Sequence, residues 1–273
     1  MIAQIVDELA AQPAGPVLVA LMIDRLWPRR RALAPRPVTR AVEDLTRRLN
    51  RPERPVETRQ SRGFLLWAVV ALAALACGRV LAEGLSHWAG RDIALGVEIL
   101  LLAAGIGFQG ARAAARRAVA GVEGMAPGRA VQVGRVACDR LALRFSDGVV
   151  GITLGYMLLG LPGAFLVKAG QWLVEGLETV PEDRFVLAVR AAHGIVTAPA
   201  SFLAALLIGF GRWPGPALLP PPAVRALGAS LDAAGLVATV PAARLAGART
   251  LVDRAHALWF VLLLAGSVAA ALL

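Results

Sequence analysis

The sequence has 273 residues, of which 57% are hydrophobic, and a formal net charge of +10. Its mean hydropathy is +0.63, whereas soluble domains contain only about 45–50% apolar residues. Because the excess is gathered into long runs, it excludes an ordinary soluble enzyme and indicates an all-α, polytopic integral membrane protein. The positive charge suits an anionic membrane surface, and with these apolar runs we expect the lipid bilayer as partner and no nucleic acid.

The N-terminal part combines short apolar segments with a strongly basic one. Residues 2–10 predict a short surface helix, and residues 16–27 are apolar but too short to cross a bilayer alone, so a further N-terminal span stays open. Between residues 25 and 62, twelve arginines face four acidic residues. Four apolar residues of this segment recur on one helical face, namely Val38, Val42, Leu45 and Leu49. This pattern predicts a basic amphipathic helix, either on the membrane surface or packed on the protein itself.

Five apolar runs predict transmembrane helices, at residues 64–85, 93–110, 148–167, 191–210 and 257–273. About 20 helical residues cross the ~30 Å hydrocarbon core. The central run, 148–167, has Asp147 at one end and Lys168 at the other, so a charge stands at each expected water boundary. Pro199 predicts a kink in the fourth span. We therefore expect a single membrane-integral domain over 1–273, with about five spans and additional amphipathic surface helices.

Loop charge predicts an orientation. The connecting segments 25–62, 109–147 and 211–256 carry a positive net charge, whereas 83–92 and 168–190 are each slightly acidic. The positive-inside rule places the first group in the cytoplasm. The prediction is a bacterial inner-membrane protein with a cytoplasmic N-terminus, in which 25–62 and 168–190 lie on opposite sides.

Soluble-enzyme motifs such as a phosphate loop or a nucleophile elbow are absent from the sequence, which leaves carboxylates near the membrane boundary. Glu98 lies inside the second run, where an acid is a functional candidate, an interfacial residue or the partner of an arginine such as Arg79. Asp147 is either a magnesium or amine ligand or a helix N-cap together with Ser146. The acidic residues of 175–183 could attract a cation or remain a solvated surface.

Several short motifs follow one another between residues 16 and 210. They are Asp24, Pro35–Val38, Asn50-Arg51, Arg62-Gly63, Ser146–Val150, Gly160–Ala164, Lys168-Ala169 and Ala198–Ala200. Their order resembles the membrane-integral adenosylcobinamide-phosphate synthases of cobalamin biosynthesis. The match is most specific in the central stretch.

The sequence departs from the pattern of that family at several positions. Arg36 replaces a histidine, and the segment after Gly134-Arg135 is shortened. Leu143-Arg144 stands where the family has Glu-Asn, Gln171–Val174 where it has Asn-Thr-Leu-Asp, and Ala192-His193 where it has paired aspartates. Catalytic groups act as a unit, so the loss of several polar residues costs more than a single change. We therefore expect the fold to carry over better than the activity.

The resemblance implies ATP-dependent amide ligation of an aminopropanol-type amine to the corrinoid substrate, adenosylcobyric acid, with ATP and Mg²⁺ as cofactors. It implies Asp147 as the catalytic residue or Mg²⁺ ligand. The residues expected to bind substrate or phosphate are Asp24, Arg36, Ser146, Gly148, Lys168 and Glu98. Other membrane proteins of cobalamin biosynthesis would be partners. A non-catalytic membrane scaffold or binding protein is the alternative, and a transporter ranks below both because no pair of interrupted spans repeats across the two halves.

Overall fold

The computed structural model describes residues 12–26, 36–51, 53–122, 125–178, 180–209, 221–234, 236 and 241–272, and these residues form helices without any strand. The α-helices are α1 (Ala14–Leu26), α2 (Arg36–Leu49), α3 (Val56–Ile106), α4 (Phe108–Val122), α5 (Pro127–Leu143), α6 (Ile152–Leu159), α7 (Leu161–Gly176), α8 (Arg184–Ile208), α9 (Pro222–Ala233) and α10 (Pro241–Leu272). A π-helical segment, Arg144–Gly151, joins α5 to α6. The helix predicted over 2–10 lies outside the described residues.

Four helical stretches of the described chain are long and apolar enough to cross a membrane: Val56–Val122, Pro127–Leu159, Arg184–Ile208 and Pro241–Ala271. The protein is therefore an all-α membrane protein, as its composition predicted. Many large apolar side chains of these helices are exposed, including Leu65, Leu72, Ile195 and Val261. Exposed apolar side chains on spanning helices are expected where lipid replaces water as the solvent.

The predicted spans 64–85 and 93–110 fall on either side of Gly90 (φ 74°, ψ 164°), a non-helical residue that divides α3 into two helices. The second predicted span runs past the end of α3 at Ile106 into α4. The part after Gly90 runs antiparallel to the π segment and α6. Two contacts establish this direction: a Cβ on Gly148 would lie 3.2 Å from the carbonyl oxygen of Ile106, and Tyr156 bonds to Glu98.

The prediction of one continuous span over 148–167 is wrong, because the chain reverses inside it. Helix α6 ends at Leu159, and Gly160 adopts φ 67° and ψ −151°, a conformation open essentially to glycine alone. Helix α7 then returns antiparallel to α6. The two backbones are so close that a Cβ on Gly155 would lie 2.8 Å from the carbonyl oxygen of Gly163, so both positions require glycine.

The predicted N-cap role of Asp147 is also wrong. The chain is already helical from Pro127, and Asp147 lies within the π segment, between α5 and α6. Hydropathy marks a boundary at Asp147 because the preceding residues are basic, but the helix continues through this change of composition. The segment 109–147, predicted as a loop, is likewise largely helical.

The predicted placement of 25–62 and 168–190 on opposite sides fails as well. Asp183 caps α8 by accepting a hydrogen bond from the backbone N–H of Val186 at 3.0 Å. The same carboxylate accepts hydrogen bonds from Arg59 and, at 2.6 Å, from Asn50. Because Asn50 precedes α3 and Arg59 lies in its first turn, the beginnings of α3 and α8 are on the same side. The cause is the reversal at Gly160, because α7 returns the chain to the side from which α6 starts.

These contacts also affect the ionisation of Asp183. Burial raises the pKa of this carboxyl, but the hydrogen bonds from Asn50, Val186 and Arg59 and the charge of Arg59 outweigh it, so the pKa is lowered. The carboxylate is therefore stabilised in its charged form.

Helix α2 confirms the predicted basic helix and turns part of its apolar face toward the protein. Val42 is buried, and Gly176 at the end of α7 packs directly beneath it. Leu45 remains 43% exposed. Of the two interpretations, packing on the protein itself accounts for the buried side chains.

The remaining predicted spans differ from the structure in their bounds. Helix α1 has 13 residues, about 20 Å at 1.5 Å per residue, and is too short to cross a bilayer alone. The predicted spans 191–210 and 257–273 correspond to α8 and to the second half of α10, both of which begin earlier than predicted. Hydropathy misses these starts because charged residues occupy the first turns.

Candidate functional site

A half-buried carboxylate, Asp147, and a buried imidazole, His193, form the centre of the candidate site. His193 Nε2 lies 3.2 Å from Asp147 Oδ2, and Ser146 Oγ donates to Asp147 Oδ1 over 3.1 Å. Asp147 comes from the π segment, whose wider turns are often found at functional sites. His193 comes from α8, eight residues beyond Phe185 and thus about 12 Å along the helix. The pair therefore lies well inside the helical bundle.

The imidazole of His193 rests on a glycine of α7. A Cβ on Gly170 would lie 2.5 Å from His193 Nδ1, so any larger residue would displace the ring. His193 is 5% exposed, and its Nδ1 has no hydrogen-bond partner among the described residues. One ring nitrogen thus faces a carboxylate while the other lies against backbone.

Lys168 brings a half-buried positive charge to the same region. Its Nζ donates to Gln171 Oε1 over 3.0 Å and lies 5.7 Å from the centre of the Trp172 ring. Its charge also interacts with those of Arg144, Glu175, Asp24 and Asp147. Three carboxylates and a second cation therefore lie in the electrostatic neighbourhood of Lys168, with Asp24 buried and the others half-buried.

An ion pair between Arg144 and Glu175 lies beside this cluster. Arg144 lies 2.7 Å from Glu175, and both side chains are less than 15% exposed. Arg144 begins the π segment and Glu175 lies in the last turn of α7, so the pair ties together the two halves of the reversal. Buried pairs of this kind are costly to break, since removing one partner leaves an uncompensated charge.

The structure brings together most of the site residues predicted from the sequence. Asp24, Ser146, Asp147 and Lys168 belong to this cluster, and Gly148 lies beside Gln171. Arg36 is the first residue of α2, and its side chain lies outside the described part of the chain.

Glu98 belongs to a different environment. Its carboxylate accepts a hydrogen bond from Tyr156 over 2.7 Å, on α6 beyond the π segment. Arg79, its expected partner, instead bonds to Glu83 one turn away on the exposed face of α3. The predicted Arg79–Glu98 pair is therefore wrong, and within the described part of the chain the hydrogen bond of Glu98 goes to Tyr156 and not to the Asp147 cluster.

Three residues of the site, Arg144, Gln171 and His193, are not among those predicted from the sequence. They occupy positions where the sequence departs from the synthase pattern, so the resemblance implies lost polar groups there. In the structure each contacts a retained or acidic residue: Glu175, Lys168 and Asp147, respectively. The sequence feature that could have identified these residues is their shared position where the sequence departs from the synthase pattern.

The acidic stretch 175–183 is paired with arginines and partly solvated. Its four carboxylates form the ion pairs Glu175–Arg144, Glu178–Arg140, Glu182–Arg190 and Asp183–Arg59. Glu178 and Glu182 remain exposed, which agrees with the predicted solvated surface. Each carboxylate of the stretch has a positive partner, so none is left free for a cation.

The donor set at Asp147 does not form a metal cage. The described residues contain no group of three or more His, Cys, Asp or Glu side chains able to hold a metal ion. Both oxygens of Asp147 already have protein partners, Ser146 and His193. Magnesium is usually bound by one or two carboxylates together with substrate phosphates, and the arrangement here does not supply a resident Mg²⁺ site.

No family model, curated protein or solved structure matches the chain.

The site is therefore a closed, internally paired arrangement with one acid–base couple. Asp147 and His193 can share or exchange a single proton, since a carboxylate facing an imidazole nitrogen fixes the orientation of the ring. Lys168 and Arg144 can balance the charge of the carboxylates or of an entering anion. These are the chemical capacities on which a function must rest.

Proposed function

We propose that the protein is a bacterial inner-membrane, adenosylcobinamide-phosphate-synthase-like protein of cobalamin biosynthesis that joins an aminopropanol-type amine to adenosylcobyric acid. The observation that supports the proposal is that Asp24, Asp147 and Lys168, from three separate helical elements, lie near enough for the charge of Lys168 to interact with both carboxylates. The resemblance implies all three as site residues, and a shared site requires them to be near one another.

In this reaction the amine nitrogen attacks an activated carboxyl carbon, the new C–N bond forms, and the activating phosphate leaves with the electrons of the broken C–O bond. ATP, accompanied by Mg²⁺, would supply that activation when bound. The proton released by the amine needs a base, and the Asp147–His193 couple is the candidate. Lys168 would attract the phosphate, and Asp24 the ammonium form of the amine.

A second candidate function is a non-catalytic membrane scaffold or binding protein. It is supported by the internal pairing of the acidic residues, above all Arg144–Glu175 at 2.7 Å and His193–Asp147 at 3.2 Å. Carboxylates neutralised by the chain itself are less available to metal–phosphate groups. Under this proposal the cluster would hold α7 and α8 together and take no part in a reaction.

Complementation of a strain that lacks the synthase separates the two candidates. We expect the wild type to restore corrinoid-dependent growth, and Asp147→Asn to lower amide formation by isolated membranes by about 100-fold or more, because a catalytic base is lost. Glu178→Gln is the matched control, since its partner Arg140 is exposed at the surface. Normal membrane levels of a wild type that does not restore growth would favour the scaffold, and full activity of Asp147→Asn would exclude that residue from catalysis.

A further inference from the structure

A small cavity separate from the Asp147 cluster lies between α4 and α10. It has a volume of about 140 Å³ and is lined by Ala115, Arg116, Val119, Leu245, Ala246 and Arg249. The floor is apolar, and one arginine from each helix provides the polar wall. Two antiparallel helices thus bring two guanidinium groups to one opening.

The charges around this cavity are unbalanced. Asp253 forms an ion pair with Arg112 at 2.7 Å and a looser one with Arg249 at 3.8 Å. Arg116 has no ion pair among the described residues, and it is exposed. Three arginines therefore share one carboxylate, which leaves two positive charges in excess. An anion between Arg116 and Arg249 would relieve their repulsion.

An exposed apolar part of α10 begins about 13 Å along the helix from the cavity. Exposed apolar residues begin at Leu258, nine residues or about 13 Å beyond Arg249 along the helix. Arg249 extends toward Asp253, one turn closer to that apolar part. Arginine side chains commonly reach along a helix to the headgroup layer, and basic pockets between membrane helices suit phosphate headgroups.

We propose that this cavity binds a phosphate group, held between the guanidinium groups of Arg116 and Arg249. The chemistry fits the headgroup of an anionic phospholipid, whose chains would continue over the apolar floor, and it also fits a free phosphate. The proposal is independent of the amide-ligase function, because it uses no residue of the Asp147 site.

The test uses the full chain purified in a neutral detergent, titrated separately with short-chain phosphatidylglycerol, phosphatidylcholine and inorganic phosphate. We expect the double variant Arg116→Gln/Arg249→Gln to bind the anionic probe about tenfold more weakly or worse, since both cationic groups that line the cavity are lost. The double variant Arg117→Gln/Arg254→Gln is the matched control: it removes the same charge from the same two helices, at exposed positions that do not line the cavity.

The two anionic probes distinguish the sources of the phosphate. Tight binding of phosphatidylglycerol with weak binding of inorganic phosphate identifies a lipid site, whereas comparable binding of both identifies a phosphate site without lipid specificity. Equal weakening in the two double variants would mean that binding depends only on the overall positive charge of the protein, and this would overturn the proposal. Unchanged binding in Arg116→Gln/Arg249→Gln, or binding of neither anion, would overturn it as well.

Discussion

The imidazole of His193 keeps its place because residue 170 has no side chain. Gly170 allows the ring to lie on the backbone of α7, from which Nε2 reaches Asp147. Arg144 forms an ion pair with Glu175, and Gln171 accepts a hydrogen bond from Lys168. The electrostatics of the site thus depends on residues whose types look unremarkable in the sequence.

Gly170→Ala tests this dependence at a single position. The new methyl group would lie 2.5 Å from His193 Nδ1 and 2.9 Å from Cε1, so the ring must move away from Asp147. We expect a loss of about 1–3 kcal/mol in the free energy of unfolding, the usual cost of overpacking. Unfolding in detergent followed by circular dichroism measures it.

Gly194→Ala is the control for that variant. Gly194 follows His193 on α8, and a Cβ there would meet nothing within 4 Å. Its stability should equal or slightly exceed that of the wild type, since alanine favours helix over glycine. Equal effects of the two substitutions would mean that Gly170 does not position His193.

At the scale of elements, the reversal at Gly160 explains how one apolar run supplies two sides of the site. The π segment carries Asp147, α7 carries Lys168, and the turn brings them next to each other. Had the run been a single straight helix, 21 positions would separate the two residues by about 30 Å. The same turn makes α7 available to support α8.

Gly160→Ala is predicted to destabilise this reversal. The residue has φ 67° and ψ −151°, and the strain of placing an L-residue there costs about 1–3 kcal/mol. The measurement is the free energy of unfolding in detergent. Gly84→Ala is the control, because it lies in α3 with open space around its Cβ position. A Gly160→Ala protein as stable as Gly84→Ala would contradict the assigned turn.

Particular residues show how far the sequence could predict this structure. Long apolar runs predict membrane-spanning helices, because a segment that crosses the hydrocarbon core must be mostly apolar. Hydropathy does not predict the turn at Gly160, because the helices on both sides of it are apolar. Gly160 and Pro162 are the local signals of the turn in the sequence. The contacts of His193 and Arg144 depend on that turn, and no pattern along the chain reports them. Asp147 is a candidate from its position at the boundary of an apolar run, whereas the resemblance supplies Asp24 and the role of Lys168.

At the scale of the whole molecule, the reversal changes which chain ends share a side. Arg59 at the beginning of α3 bonds to Asp183 at the beginning of α8, so these two helices enter the bundle from the same end. The turn at Gly160 lies near Gly78 of α3, where Pro162 packs against it, about 22 Å from Gly63. One side of the protein therefore carries the end of α2, the beginning of α3 and the acidic stretch 175–183.

Cysteine accessibility in sealed membrane vesicles tests this arrangement most directly. Both native cysteines, Cys77 and Cys138, are first replaced by alanine, and single cysteines are introduced as Glu57→Cys, Glu182→Cys and Ser86→Cys, all at exposed positions. With an impermeant thiol reagent, we expect Glu57→Cys and Glu182→Cys to be labelled from one side and Ser86→Cys from the other. Labelling of Glu182→Cys and Ser86→Cys from the same side, opposite to Glu57→Cys, would contradict the reversal at Gly160 and the site built on it.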